Sequence, residues 1–333
     1  MKMLQIDKKV IQAPMAGITT PNFVAACSNA GILGSIGAGY LNGPQTRDFI
    51  QSVKAQTSKL FQVNLFIQEE PRIDINVLQQ AKQALLPIYE QLSVNQVQRV
   101  TSTEIFSEQI DIVIDEQVPV VSFTFGLPTT DVLQRLFDAG ITVIGTATTV
   151  HEAKLIEEAG CHAVVAQGKE AGGHRGSFNE QNEFHATRDL VRAIKDEVSL
   201  PVIAAGGIVD ARDVADLQAD GAAYIQVGSA FIITDECEVP NIVKQEIKRL
   251  THNNTVYTKA FSGKMARGVK NEFVEYMEGK VVAPYPLQND LTKAIRAAAT
   301  LQKRPEFLSV WVGERGYLCE ATTIEGVLAR LGV

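Results

Sequence analysis

Cysteine, tryptophan and long apolar runs are all scarce in this 333-residue sequence. Its four cysteines, Cys27, Cys161, Cys237 and Cys319, are scattered without a Cys-x-x-Cys pair. That spacing argues against a disulfide frame or a zinc site and reads as the reduced thiols of a cytosolic protein. No apolar stretch reaches the roughly 18 residues that a membrane helix needs. The start, Met1-Lys-Met-Leu-Gln-Ile-Asp-Lys, lacks the apolar core of a signal peptide, so a cytoplasmic location is expected. Positive charge is also short: the net charge is −7 and the pI about 5.4, which excludes nucleic acid and membrane surfaces as expected partners. There is no P-loop, no Gly-x-Ser-x-Gly elbow and no His-Glu-x-x-His, so hydrolase and zinc chemistries lack residues to carry them. Gly34-Ser-Ile-Gly-Ala-Gly39 is glycine-rich, but its spacing is wrong for a dinucleotide fingerprint and no helix follows it directly.

What the chain does have is alternation. Short β-rich apolar runs lie at Val10–Met15, Leu33–Ala38, Phe61–Ile67, Val118–Phe125, Ile141–Ala147, His162–Gln167, Val202–Gly206 and Ala223–Gly228. Amphipathic segments such as Asn22–Ala30, Asp131–Ala139, Val150–Ala159 and Ala211–Asp220 separate them. Gly31, Gly140, Gly160 and Gly221 each stand just before the next strand, where a left-handed helix C-cap is wanted. Eight strands in this order predict an α/β fold, a (β/α)8 TIM barrel, with an open doubly wound sheet as the alternative. The barrel is expected from 1–67 and 118–239, closed by a helix in 320–333. A helical insertion is expected at 68–117, after the third strand, and a smaller substrate or cap region at 240–319.

Function is expected at the C-terminal mouth of such a barrel. The run Gln167-Gly-Lys-Glu-Ala-Gly-Gly-His174 places an amide, two glycines and an imidazole where the sixth strand opens into a loop. His174 is the candidate catalytic residue, against the plainer reading of a loop histidine bonded to backbone. Gly207, in Ala204-Ala-Gly-Gly-Ile208, and the run Gln226, Val227, Gly228 and Ser229 end the seventh and eighth strands, the usual phosphate site of these barrels. Glycine lets backbone N–H groups approach phosphate oxygens, and Ser229 adds a hydroxyl donor. With no dinucleotide fingerprint, a phosphate-bearing cofactor in the mouth is expected, FMN first among them. Asn64 and Gln167 end apolar strands and offer neutral amides suited to the mixed polar edge of a flavin, or else tie down loop backbone. Lys264, Arg267 and Lys270 form a basic cluster, read either as a solvated face or as an attractant for an anionic substrate.

These residues make the chain resemble the nitronate monooxygenases. The resemblance runs through Gln12-Ala-Pro-Met-Ala-Gly17, Ser28-Asn-Ala-Gly31, Val63-Asn-Leu-Phe66, Val121-Ser-Phe123 and Gln167-Gly-x-Glu-Ala-Gly-Gly-His174. It continues through Pro201-Val-Ile-Ala-Ala-Gly-Gly207, Gln226-Val-Gly-Ser229 and Ser309-x-Trp311-x-Gly313, nearly the whole chain. It implies an FMN-containing barrel that oxidises alkyl nitronates, such as propionate 3-nitronate, with O2 to a carbonyl compound and nitrite. By position it implies FMN contacts from Asn64, Gln167, Gly172, Gly207 and Gln226 to Ser229, with His174 as the base or the group that orients the nitronate. Some bacterial members carry a second histidine where this chain has Thr124, and the family's terminal Gly-Gln is Gly313-Glu314 here. The barrel is also similar to FMN-dependent enoyl-acyl-carrier-protein reductases and NADH:quinone reductases, so an NAD(P)H reductase is the alternative function.

Overall fold

A computed structural model describes residues 4–67, 74–95, 105–179 and 183–333. Parts of the expected insertion, 68–73 and 96–104, lie outside the described residues.

Eight parallel strands form one sheet: β1 (Val10–Gln12), β2 (Gly34–Gly37), β3 (Phe61–Phe66), β4 (Val120–Thr124), β5 (Thr142–Ala147), β6 (Ala163–Gln167), β8 (Val202–Ala205) and β9 (Ala222–Val227). A short β7 (Gly173–His174) sits outside this sheet, with β10 (Thr255–Thr258) and β11 (Ala266–Val269). The parallel order is β1-β9-β8-β6-β5-β4-β3-β2. Its two ends meet through a parallel bridge between Ile11 and Leu33, where Gln12 N–H donates to Leu33 O at 3.0 Å and Leu33 N–H to Val10 O at 3.0 Å. That bridge closes the ring and rules out the open-sheet alternative.

All eight predicted runs form strands, trimmed at their ends except that the last is shifted one residue towards the N-terminus, to Ala222–Val227. The first run reaches Met15 in sequence, yet the strand stops at Gln12, because Pro14 cannot donate to a ladder and the chain turns inward there. The helices follow from amphipathic spacing: Thr187–Glu197 buries Thr187, Leu190, Val191 and Ile194, an i, i+3, i+4, i+7 stripe. The four glycines after helices all take positive φ, from 72° at Gly140 to 104° at Gly221.

Strand parity positions the site. Ile11, Leu33, Val120, Ile144, Ala163, Val165, Ile203, Ala205 and Tyr224 form a small apolar cluster inside the barrel. Side chains alternate along a strand, so residues an even number further on point inward too, at the upper end of the barrel. They are Asn64 and Phe66 on β3, Ser122 and Thr124 on β4, Thr146 on β5, Gln167 on β6 and Gln226 on β9. The opposite parity packs outward against the helices in the main core. There Phe123 is fully buried and meets Phe106 with ring centroids 6.2 Å apart. Phe123→Ala is expected to cost about 3–5 kcal/mol, read as a lower urea midpoint at unchanged slope.

Above the mouth, helices Ile75–Gln91 and Leu287–Gln302 pack on one another, with Gln302 Nε2 donating to Leu92 O at 2.7 Å. The three-stranded sheet pairs β11 antiparallel with both β10 and β7, and Gly268 bridges to Trp311. Among the described residues no helix is long and apolar enough to cross a membrane. None of their His, Cys, Asp and Glu side chains group as three or more that could hold a metal.

Candidate active site

The C-terminal ends of the barrel strands open into a cleft of about 1250 Å³, counted out to its mouth. Asn64, Gln167, Gly172, His174, Gly207, Gln226, Val227, Gly228 and Ser229 all line it, so the fold brings the catalytic candidate and the candidate cofactor residues together.

Their side chains are engaged differently. Asn64 is buried, and its Nδ2 donates to Ser122 Oγ at 3.0 Å and Thr124 Oγ1 at 3.1 Å. The threonine at position 124 therefore supports Asn64. Gln167 donates through Nε2 to His174 O at 3.1 Å and accepts at Oε1 from Gly176 N–H at 2.7 Å. Both ends of that amide hold the 174–176 backbone, the plainer of its two sequence readings. Gln226 lines the cleft, and its amide makes no hydrogen bond among the described residues.

His174 is not on a free loop. Its backbone is β7, paired with Ala266, and the next residue, Arg175, donates its N–H to Met265 O at 2.9 Å. The sequence shows 173–174 only as loop, because a two-residue strand has no periodicity to read. The imidazole is half-buried among rings: Trp311 at 5.6 Å, Phe125 at 5.8 Å, Tyr285 at 6.1 Å and Phe66 at 6.2 Å between centroids. Phe125 has φ +79°, a strained conformation for a bulky residue, and Lys264 Nζ lies 4.3 Å from its ring centroid. Burial first, then the positive charges of Lys264 and Arg296, push the His174 pKa from 6.5 down to about 3. The resting imidazole is neutral.

Ser262 Oγ lies 2.8 Å from His174 Nε2, 3.1 Å from Lys264 O and 3.3 Å from Lys264 N, so Nε2 is the ring nitrogen held by the protein.

The basic cluster divides. Lys264 stands beside His174, whereas Arg267 donates from Nε to Lys169 O at 3.0 Å and pairs with Glu314 at 3.4 Å. Lys270 pairs with Glu275 at 3.2 Å on the surface. Arg267 is a staple between Lys169 and Glu314. Sequence reasoning passed over Tyr40, Phe125, Ser262, Tyr285, Arg296 and Arg315. Most of them lie in segments distant in sequence that only the fold brings to the mouth, but Arg315 stands two residues after a glycine already singled out.

The glycine loops fit a phosphate-bearing cofactor. Gly206 has φ +122° and Gly207 φ +71°, and a Cβ on Gly207 would come within 3.0 Å of the Glu170 Cβ. Ser229 Oγ accepts from Gly313 N–H at 2.9 Å, so its own proton is available to a ligand oxygen. Neutral amides, backbone donors and a hydroxyl over an apolar floor suit a flavin and its phosphate.

A closed α/β barrel whose cofactor-sized mouth holds one neutral imidazole has the architecture of a barrel enzyme. Comparison with known proteins narrows it. The family model described as "Nitronate monooxygenase" matches residues 1–331. A probable nitronate monooxygenase of Staphylococcus aureus strain MSSA476 is 43% identical over 320 residues, covering 94% of this chain and 90% of that protein. Among solved structures, nitroalkane oxidase from Streptomyces ansochromogenes is 30% identical with a TM-score of 0.92, covering 98% of this chain and 96% of that one. FabK from Thermotoga maritima is 28% identical with a TM-score of 0.77, covering 99% and 94%. The chain belongs to the nitronate monooxygenase family, and with it to the flavin-dependent oxidoreductases.

Proposed function

We propose that this protein oxidises small alkyl nitronates, such as propionate 3-nitronate, with O2 to a carbonyl compound and nitrite. FMN is the cofactor in this reading, cradled by Gly172, Gly207 and Gln226 to Ser229, with Asn64 and Gln167 beneath it. The observation that carries the reading is a neutral imidazole under two cationic side chains at the mouth of a glycine-lined cleft. A nitronate is an anion, and Lys264 and Arg296, the same charges that disfavour imidazolium, favour an anion next to it.

The flavin, when bound, supplies the electron acceptor. The protein's residues bind and orient. Phe66, Phe125, Tyr285 and Trp311 exclude water and hold the alkyl part, and His174 faces the reacting carbon or nitro group. With a neutral nitroalkane, His174 Nδ1 takes the α-proton, and the new imidazolium is stabilised by the nitronate formed beside it. A resting pKa near 3 makes that step uphill, so preformed nitronates are the better substrates.

The purified protein is expected to be yellow and to release FMN on denaturation. Recovery of FAD, or a colourless protein that FMN cannot reconstitute, rejects the cofactor. Likeness to FabK keeps an NAD(P)H reductase as the second reading. Anaerobic addition of a nitronate should bleach the flavin, whereas bleaching by NADH or NADPH alone would favour the reductase.

A further inference from the structure

We infer that Arg315 is the cationic arm of a phosphate-monoester subsite in this cleft and that it makes the protein select FMN over riboflavin. The inference rests on the FMN reading above and names a residue outside the glycine loops.

Arg315 is the one charged side chain among the described residues that line the cleft. Everything else on that wall is apolar, a glycine, an amide, a hydroxyl, an aromatic ring, a thiol or a neutral imidazole. A cation on an otherwise uncharged wall, with Asp213 engaging one of its nitrogens, points to an anionic group on what fills the cleft. Its position identifies the group. Nη1 donates to Gly207 O at 2.8 Å and to the Asp213 carboxylate at 2.5 Å, which lays the guanidinium across the loop that ends β8. Two residues earlier, Gly313 N–H is held by Ser229 at the end of β9. The segment 313–315 thus ties together the two loops whose glycines and hydroxyl form the phosphate cradle.

The donors are accounted for. Arginine has five N–H groups, and the contacts to Gly207 and Asp213 both use Nη1, so Nη2 and Nε make no bond among the described residues. The side chain is about a third exposed (34%), towards the cleft. Asp213 is itself fixed, since its other oxygen accepts from Val209 N–H at 2.8 Å and Asp210 N–H at 3.2 Å in the capping box of helix Ala211–Ala219. The carboxylate therefore aims the guanidinium and leaves the rest of its planar fork for phosphate oxygens.

The test titrates apoprotein with FMN and with riboflavin, followed by flavin fluorescence, in wild type, Arg315→Gln and Arg315→Lys. Wild type should bind FMN more tightly than riboflavin. Arg315→Gln should weaken FMN by roughly 10- to 100-fold and change riboflavin by less than about 2-fold. Arg315→Lys should recover part of the loss, because the charge remains without the fork. Raising KCl should weaken FMN but not riboflavin in wild type, a readout that stands even if a variant fails to fold. Equal losses for both flavins, or no loss for FMN, would make Arg315 a structural tie and overturn the inference while FMN stays the cofactor. Wild type binding both flavins equally would overturn the phosphate subsite altogether.

Discussion

His174→Asn is expected to lower turnover of neutral nitroalkanes by roughly 10²–10⁴-fold, the usual range for loss of a general base. Activity on preformed nitronates should fall much less, because their α-proton is already gone. Asparagine is uncharged and places its amide near the Nδ1 position, short of Ser262, but β7 pairs with Ala266 through backbone, so that pairing should persist. Flavin content should therefore stay at the wild-type level, which separates a chemical defect from a binding one. Equal losses on both substrate forms would mean that His174 positions the substrate instead. No loss on either would return it to a structural histidine of the second sheet.

The same imidazole sets a pH expectation. Its folded pKa of about 3 lies below the ordinary 6.5, so between these values the unfolded chain binds the proton and the folded one does not. The stability contribution is complete above pH 6.5 and is lost as pH falls towards 3. In activity, kcat/KM for a nitronate added faster than it reprotonates should show no fall centred near pH 6.5. An inflection there would mean that Lys264, Arg296 and burial do not hold the ring neutral.

The barrel was legible because its signals are periodic. Eight apolar runs alternate with amphipathic segments, and each run becomes a strand whose inward parity can be counted from the sequence. Counting also places Asn64, Thr124, Gln167 and Gln226 at the mouth. Other features were hidden for physical reasons. β7 is two residues long and exists because 255–269 folds back to pair with it, a contact across about ninety residues that no local pattern encodes. The commitment of the Gln167 amide to Gly176 and His174 O depends on where that sheet pulls the loop. Lys264 and Arg267 look alike in sequence, three residues apart. They part company because Lys264 lies in the bend before β11, close to His174, whereas Arg267 is in β11 and reaches Glu314.

Gly172→Ala is expected to abolish flavin retention, raising the dissociation constant by at least about 100-fold, or roughly 2.7 kcal/mol. A Cβ at Gly172 would stand 2.4 Å from Gly313 N and 2.5 Å from Val312 C, with only backbone in the way. No rotamer can relieve that contact, so the 171–173 loop and the 312–313 segment must separate. Gly313 then pulls away from Ser229, and the wall of the cleft opens at the place where the two strand-end loops are tied. The added methyl is small and Gly172 has no positive φ, so backbone strain is not the cause and the close approach is. Flavin absorbance after gel filtration, with circular dichroism to verify the fold, should show an empty barrel for Gly172→Ala. If the variant keeps its flavin, the Gly172–Gly313 contact does not shape the site, and the tie between these loops has no special part in holding the cofactor.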